Sequence, residues 1–282
     1  MGWGRGRAKR PGEAELTGVK PWARPVEDGQ GVPTPEDRDR IEDDLRWCTA
    51  QFGPAAVHRP VALPTAGFFP PALSAAGRTA VEDLVRRVCA VMDVDAAALD
   101  VRLFGNGETA PDEPVRDSGR KRTVGRYQRI DGRDVIDLDT REVAQPSVFA
   151  AVIAHELGHV RLLGEGRARP TDARHEKLTD LVTVFLGMGV FTANAANRFR
   201  PARRGFTVLP AGELTSRMLN GAAHDDSVHH LGYLAASQFA YALACCAHLR
   251  GESDPPWARH LEPGVRAGLN HGLTHLARHP LA

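Results

Sequence analysis

His155, Glu156 and His159 form an H-E-x-x-H sequence within the segment Ala154–His159, on a run of strong helical character. On an α-helix, residues four apart share one face, so both imidazoles can converge on a single ion. Glu156 follows His155 by about 100° of helical rotation, which sets its carboxylate beside that ion rather than on it. Two imidazoles and an adjacent carboxylate are two ligands and a general base for water bound to one Zn²⁺ ion. The preceding segment, Ser147 to Ile153, is predominantly apolar, so the helix is expected to be buried. Unpartnered imidazoles would be costly there, and a metal would satisfy them.

A catalytic zinc takes three protein ligands and leaves a fourth position to water. The extended motif with a third histidine fails here, because Leu162 stands at its glycine position and Glu165 at its histidine position. Gly164 and Gly166 read instead as helix stop signals, and Pro170 as a break. A second helix is expected from Thr171 or Asp172, and a short loop lets it return antiparallel past the first. It carries Glu176 and Asp180, four apart on one face. Glu176 is the best-placed third ligand, with His175 and Asp180 as competitors. Asp180, one turn on, can instead accept the free N–H of a ligating imidazole and fix its tautomer.

At these positions the chain resembles the gluzincin class of zinc metallopeptidases, whose H-E-x-x-H is followed on a second helix by E-x-x-x-D. The matching residues are His155, Glu156, His159, Glu176 and Asp180, and the resemblance runs over roughly residues 126–194. It implies that Glu176 is the third ligand and Asp180 the partner of a ligand histidine. It also implies hydrolysis of a peptide or protein substrate, with Glu156 as general base. A zinc-binding regulatory or structural module without turnover is the alternative. Such peptidases need a donor for the developing oxyanion. His224, His229, His230 and Tyr233 cluster ahead of a C-terminal helix, and His230 and Tyr233 are the candidates for that role.

The elements that must position these residues give an α+β chain. A small mixed or antiparallel sheet is expected to pack on the active-site helix pair, ahead of a mostly helical C-terminal half. Residues 1–39 lack an apolar period and read as a disordered tail. Residues 40–195 form the zinc-binding region, and residues 196–282 a helical region closing the cleft. Helices are expected over Ile41–Phe52 and Arg78–Met92, from apolar residues spaced for one face, and over His230–Leu249 and Gly264–Ala277, from an Ala-rich run and the Gly and Pro stop signals between them. Strands are expected at Val61–Thr65, Leu99–Phe104, Gly125–Ile130 and Val135–Asp139, the last two joined by an Asp131-Gly132 hairpin turn. Phe68 and Phe69 read as core anchors, and Thr192–Pro210 as an irregular, Arg-rich stretch. In the peptidases this region resembles, a sheet edge beside the motif helix binds extended substrate; one of the two hairpin strands would be the equivalent, the alternative being a sheet that only supports the helix.

Composition narrows the partners. The 282-residue chain carries a formal charge of +1, so nothing global points to nucleic acid or membrane. The basic residues Arg5, Arg7, Lys9 and Arg10 read as a solvated tip rather than a nucleic-acid contact. No signal peptide is expected, since no apolar stretch follows them. The longest apolar run, Leu181 to Phe191, is too short to span a bilayer. Cys48, Cys89, Cys245 and Cys246 form no C-x-x-C and read as reduced, buried side chains that suit the cytoplasm.

Overall fold

Thr34 opens the first helix. Its hydroxyl accepts the Asp37 amide at 3.3 Å, Pro35 follows in the first turn, and Glu36 and Asp37 complement the positive end of the helix dipole. The computed structural model describes residues 33–71, 73, 77–105, 124–198 and 234–281. In chain order these form α1 (Pro35–Phe52), α2 (Arg78–Met92), β1 (Leu99–Phe104), β2 (Gly125–Ile130), β3 (Arg133–Asp139), α3 (Pro146–His159), α4 (His175–Phe185), α5 (Gly189–Arg198), α6 (Ala236–Leu249) and α7 (Pro263–Arg278). Short 3₁₀ turns link several of them.

The three strands make one mixed sheet in the order β1-β3-β2, with β1 parallel and β2 antiparallel to β3. The observed class is therefore α+β with a small sheet. Asp131 and Gly132 both take positive φ (50° and 79°), the geometry of the two-residue turn expected between β2 and β3. Central strand β3 is buried on both faces from Val135 to Asp139. The Asp139 amide bonds the Val124 carbonyl at 3.0 Å, and that pair sets the alternation of the ladder. Main-chain groups of Arg126 and Gln128 face β3, while those of Gly125, Tyr127 and Arg129 turn to the outer edge.

Helix α3 runs through the core, against α2, α4, α5 and β2. It is apolar nearly all round, and Phe149, Ile153 and Leu157 are fully buried. A helix without a polar face needs cover on every side, which the surrounding elements supply. Helix α6, rich in alanine, packs on α7, α5, α1 and α4. Gly272 of α7 permits a close approach to α6, since a Cβ there would lie 2.6 Å from that of Ala244. Phe68 and Phe69 both pack on Phe191, at ring-centroid distances of 4.8 and 6.0 Å. All four cysteines are free and buried. Among the described residues, no helix is long and apolar enough to cross a membrane.

Several boundaries differ from those read in the sequence. The first helix starts at Pro35, not Ile41, so residues 35–39 are helical. Its opening turn is entirely polar and half exposed, which hides it from an apolar period. Residues 61–65 form no strand. Pro60 and Pro64 each lack an amide donor; the Ala62 amide bonds the Gly187 carbonyl at 2.9 Å, while the Thr65 amide turns back to the Leu63 carbonyl at 2.7 Å rather than to a neighbouring strand. The chain past Thr192 is helical as far as Arg198, because Gly187, at φ 102°, turns it into a new helix whose Val190, Phe191 and Ala193 enter the core. Helix α4 begins at His175, after turns over residues 170–174.

Candidate metal centre

Helix α3 ends on the motif. Beyond His159 the backbone widens into a π-turn over Val160–Gly164, in which the Glu165 amide reaches the Val160 carbonyl at 3.0 Å. Arg129 of β2 pins the end of this turn through the Gly164 carbonyl at 2.5 Å. Helix α4 then returns alongside α3, and Gly158 permits a close approach. A Cβ on Gly158 would lie 2.7 Å from Thr179 Cγ2 and 3.2 Å from its carbonyl oxygen.

That approach brings three ligand-type atoms together. Glu176 Oε2 lies 3.4 Å from His155 Nε2 and 3.5 Å from His159 Nε2, and all three atoms fall within 4.8 Å of one another. Bonds of about 2.0–2.1 Å in a tetrahedral zinc site place ligand atoms roughly 3.3–3.4 Å apart, so the spacing fits such an ion. Glu176 Oε2 is buried without a hydrogen-bond partner, a vacancy in hydrogen bonding that a cation would fill. His155 Nδ1 lies 2.9 Å from Asp180 Oδ1, and the other Asp180 oxygen accepts the Leu234 amide at 2.8 Å. His159 Nδ1 lies 3.3 Å from Thr179 Oγ1.

Charge and burial are finely set around this cluster. Burial alone would lower the pKa of His155, yet its hydrogen bond to Asp180 and the Glu176 carboxylate beside its other nitrogen hold it well above the usual range. His159, desolvated and facing the charge on His155, is pushed down to about 4. Burial works to raise Glu176, but the histidines around it, His155 first, bring its carboxyl below the ordinary value. Glu156 is almost fully buried. Desolvation pushes its pKa up to about 7, against the pull of His155, and the charge of Glu176 adds to the rise. A carboxylate poised near neutrality is suited to accept and return a proton.

The cluster opens into a cleft of about 300 Å³, whose far wall is β2. Gly125, Arg126 and Tyr127 line it from the strand, Leu163 from the π-turn and His175 from the start of α4. The outward-turned Tyr127 amide donates to the Glu156 carboxylate. The Tyr127 ring stacks on His159 at 5.9 Å, and its hydroxyl donates to Asp134 at 2.7 Å. Gly125 sits directly over the base, since a Cβ there would lie 2.6 Å from both Glu156 Oε1 and Val152 Cγ1. Arg126 and Gln128 hold β2 to β3 through the buried Asp137, whose Oδ2 accepts from both.

The structure thus gathers His155, His159 and Glu176 into one cluster, with Glu156 beside it and Asp180 on His155. The competing ligand His175 lies at the cleft wall outside the cluster, its Nδ1 on the Asp172 carbonyl at 2.8 Å. His230 and Tyr233, like His224 and His229, lie outside the described residues. Of the two hairpin strands, β3 is central and β2 is an edge among the described residues, so only β2 has outward main-chain groups to offer. Sequence reasoning passed over Thr179, Tyr127 and Gly125. A hydroxyl three residues after Glu176, and a glycine opening a strand, were the available signals. Comparison with known protein families, curated proteins and solved structures found no match to this chain.

Proposed function

We propose that the protein is a zinc-dependent metallopeptidase, with His155, His159 and Glu176 holding one ion and Glu156 serving as general base. The observation that carries this reading is Glu176 Oε2, buried without a hydrogen bond between two imidazole nitrogens at tetrahedral-edge distances. Bound zinc would lower the pKa of its water towards neutrality and polarise the substrate carbonyl. Glu156 would accept a proton from the attacking water and return it to the amine nitrogen as the peptide C–N bond breaks. Asp180 keeps the His155 proton on Nδ1, so that Nε2 faces the ion. The edge of β2 accepts an extended peptide as an added strand, through the outward groups of Gly125 and Tyr127. Four buried free thiols favour a reducing, cytoplasmic setting.

The test is zinc content after exhaustive dialysis, in wild type, Glu176→Ala and Glu156→Gln, followed by a peptide-library screen. Near one zinc in wild type, loss in Glu176→Ala, and retained zinc with lost hydrolysis in Glu156→Gln are expected. No zinc in wild type overturns the metal centre. Zinc in wild type with no hydrolysis of any peptide turns the reading to a non-catalytic zinc module.

A further inference from the structure

We infer that Thr179 is the positioning residue that selects the metal-binding tautomer of His159. This inference rests on the metal centre proposed above. For His159 to direct an Nε2 lone pair at the ion, its Nδ1 must carry the proton. Asp180 enforces this on His155, because a carboxylate can only accept. His159 has its carboxylate neighbour, Glu176, on the Nε2 side at 3.5 Å, and the neighbour of its Nδ1 is Thr179 Oγ1 at 3.3 Å.

A hydroxyl both donates and accepts, so by itself it selects neither tautomer. The His175 carbonyl decides. It lies 2.7 Å from Thr179 Oγ1, and a carbonyl oxygen only accepts, so the hydroxyl proton is committed to it. Oγ1 is left with lone pairs alone to offer Nδ1, which must then donate. Thr179 is wholly buried. Two further features hold it there. Gly158 leaves no side chain between α3 and α4 where Thr179 Cγ2 packs. Glu176, Thr179 and Asp180, at i, i+3 and i+4, share one face of α4. A single helical face therefore supplies one ligand and both acceptors that orient the other two.

Thr179→Val keeps the branched shape against Gly158 and removes the acceptor, and Thr179→Ser keeps the acceptor. Two readouts apply: zinc affinity by competition with a chromophoric chelator, and the His159 tautomer by ¹⁵N imidazole NMR on metal-free protein at neutral pH. Wild type and Thr179→Ser should show the Nδ1–H form. Thr179→Val should show a mixture, and bind zinc roughly 10- to 100-fold more weakly. An Nε2–H imidazole in wild type overturns the inference without any variant. So do an unchanged tautomer and unchanged affinity in Thr179→Val. Failure of wild type to bind zinc instead overturns the metal centre, while the tautomer measurement still decides the role of Thr179.

Discussion

Replacing Gly125 with alanine should separate stability from turnover. The added Cβ would meet Val152 Cγ1 and Glu156 Oε1 at 2.6 Å, and Glu156 Cγ at 3.1 Å. Carbon atoms rest about 3.5–4.0 Å apart, so roughly 1 Å of relief is needed at Val152 alone. Either β2 lifts from α3 or the Glu156 carboxylate swings aside. Lifting the strand strains a packed core at a cost of about 1–3 kcal/mol. Swinging the carboxylate costs less stability but removes it from the Tyr127 amide and from the place the proposed mechanism gives the attacking water. A displacement of about 1 Å at a reacting group lowers rate by about 100-fold. The assay pairs urea unfolding with zinc content and peptide hydrolysis. The expected result is a zinc-loaded, folded variant destabilised by at most about 3 kcal/mol, with turnover down on the order of 100-fold. Wild-type turnover with a stability change below about 0.5 kcal/mol would refute the close packing of β2 on the base.

Three further outcomes test the fold around the site. Tyr241→Phe deletes a hydroxyl that donates to Glu42 Oε1 at 2.5 Å across α6 and α1, and should cost about 1.5–3 kcal/mol in chemical unfolding. Asp44, buried on α1 and paired with Arg174 at 3.0 Å, has its carboxyl pKa raised by burial, with Arg174 opposing. The folded state therefore holds that proton more tightly than the unfolded chain. Asp44's contribution is most favourable below the ordinary value of 3.8 and declines as pH rises to the higher folded value. Asp44→Asn should gain on wild type across that window in pH-dependent melts, and a constant difference would contradict it. Burial raises all four thiols, Cys89 and Cys246 to about 12, so none should react with a disulfide reagent at pH 8 until the chain is unfolded, when all four should.

The local features of the site were legible in the sequence, and its tertiary ones were not. His155 and His159 share a helix face by spacing alone, and Gly164 and Pro170 marked where a returning helix could bring Glu176. The β2–β3 hairpin was legible because Asp131-Gly132 encodes its own turn. The parallel pairing of β1 with β3 carries no local signal, since it depends on packing across the intervening chain. The roles of Gly125, Tyr127 and Thr179 likewise exist only once β2 and α4 close on α3. The early start of α1 was a different kind of miss. Thr34, Pro35 and two acids spell a helix start, but no apolar residue accompanies them before Ile41.

The bond from the Leu234 amide to Asp180 gives the site a reporter that needs no substrate. Its acceptor is the carboxylate that also holds His155, so the exchange of this one amide proton with solvent deuterium reads the state of the proposed ligand sphere. Protection at Leu234 should rise when metal locks His155 in place, and collapse in Asp180→Ala. Metal binding at the proposed centre can thus be followed from a backbone position more than fifty residues away in sequence.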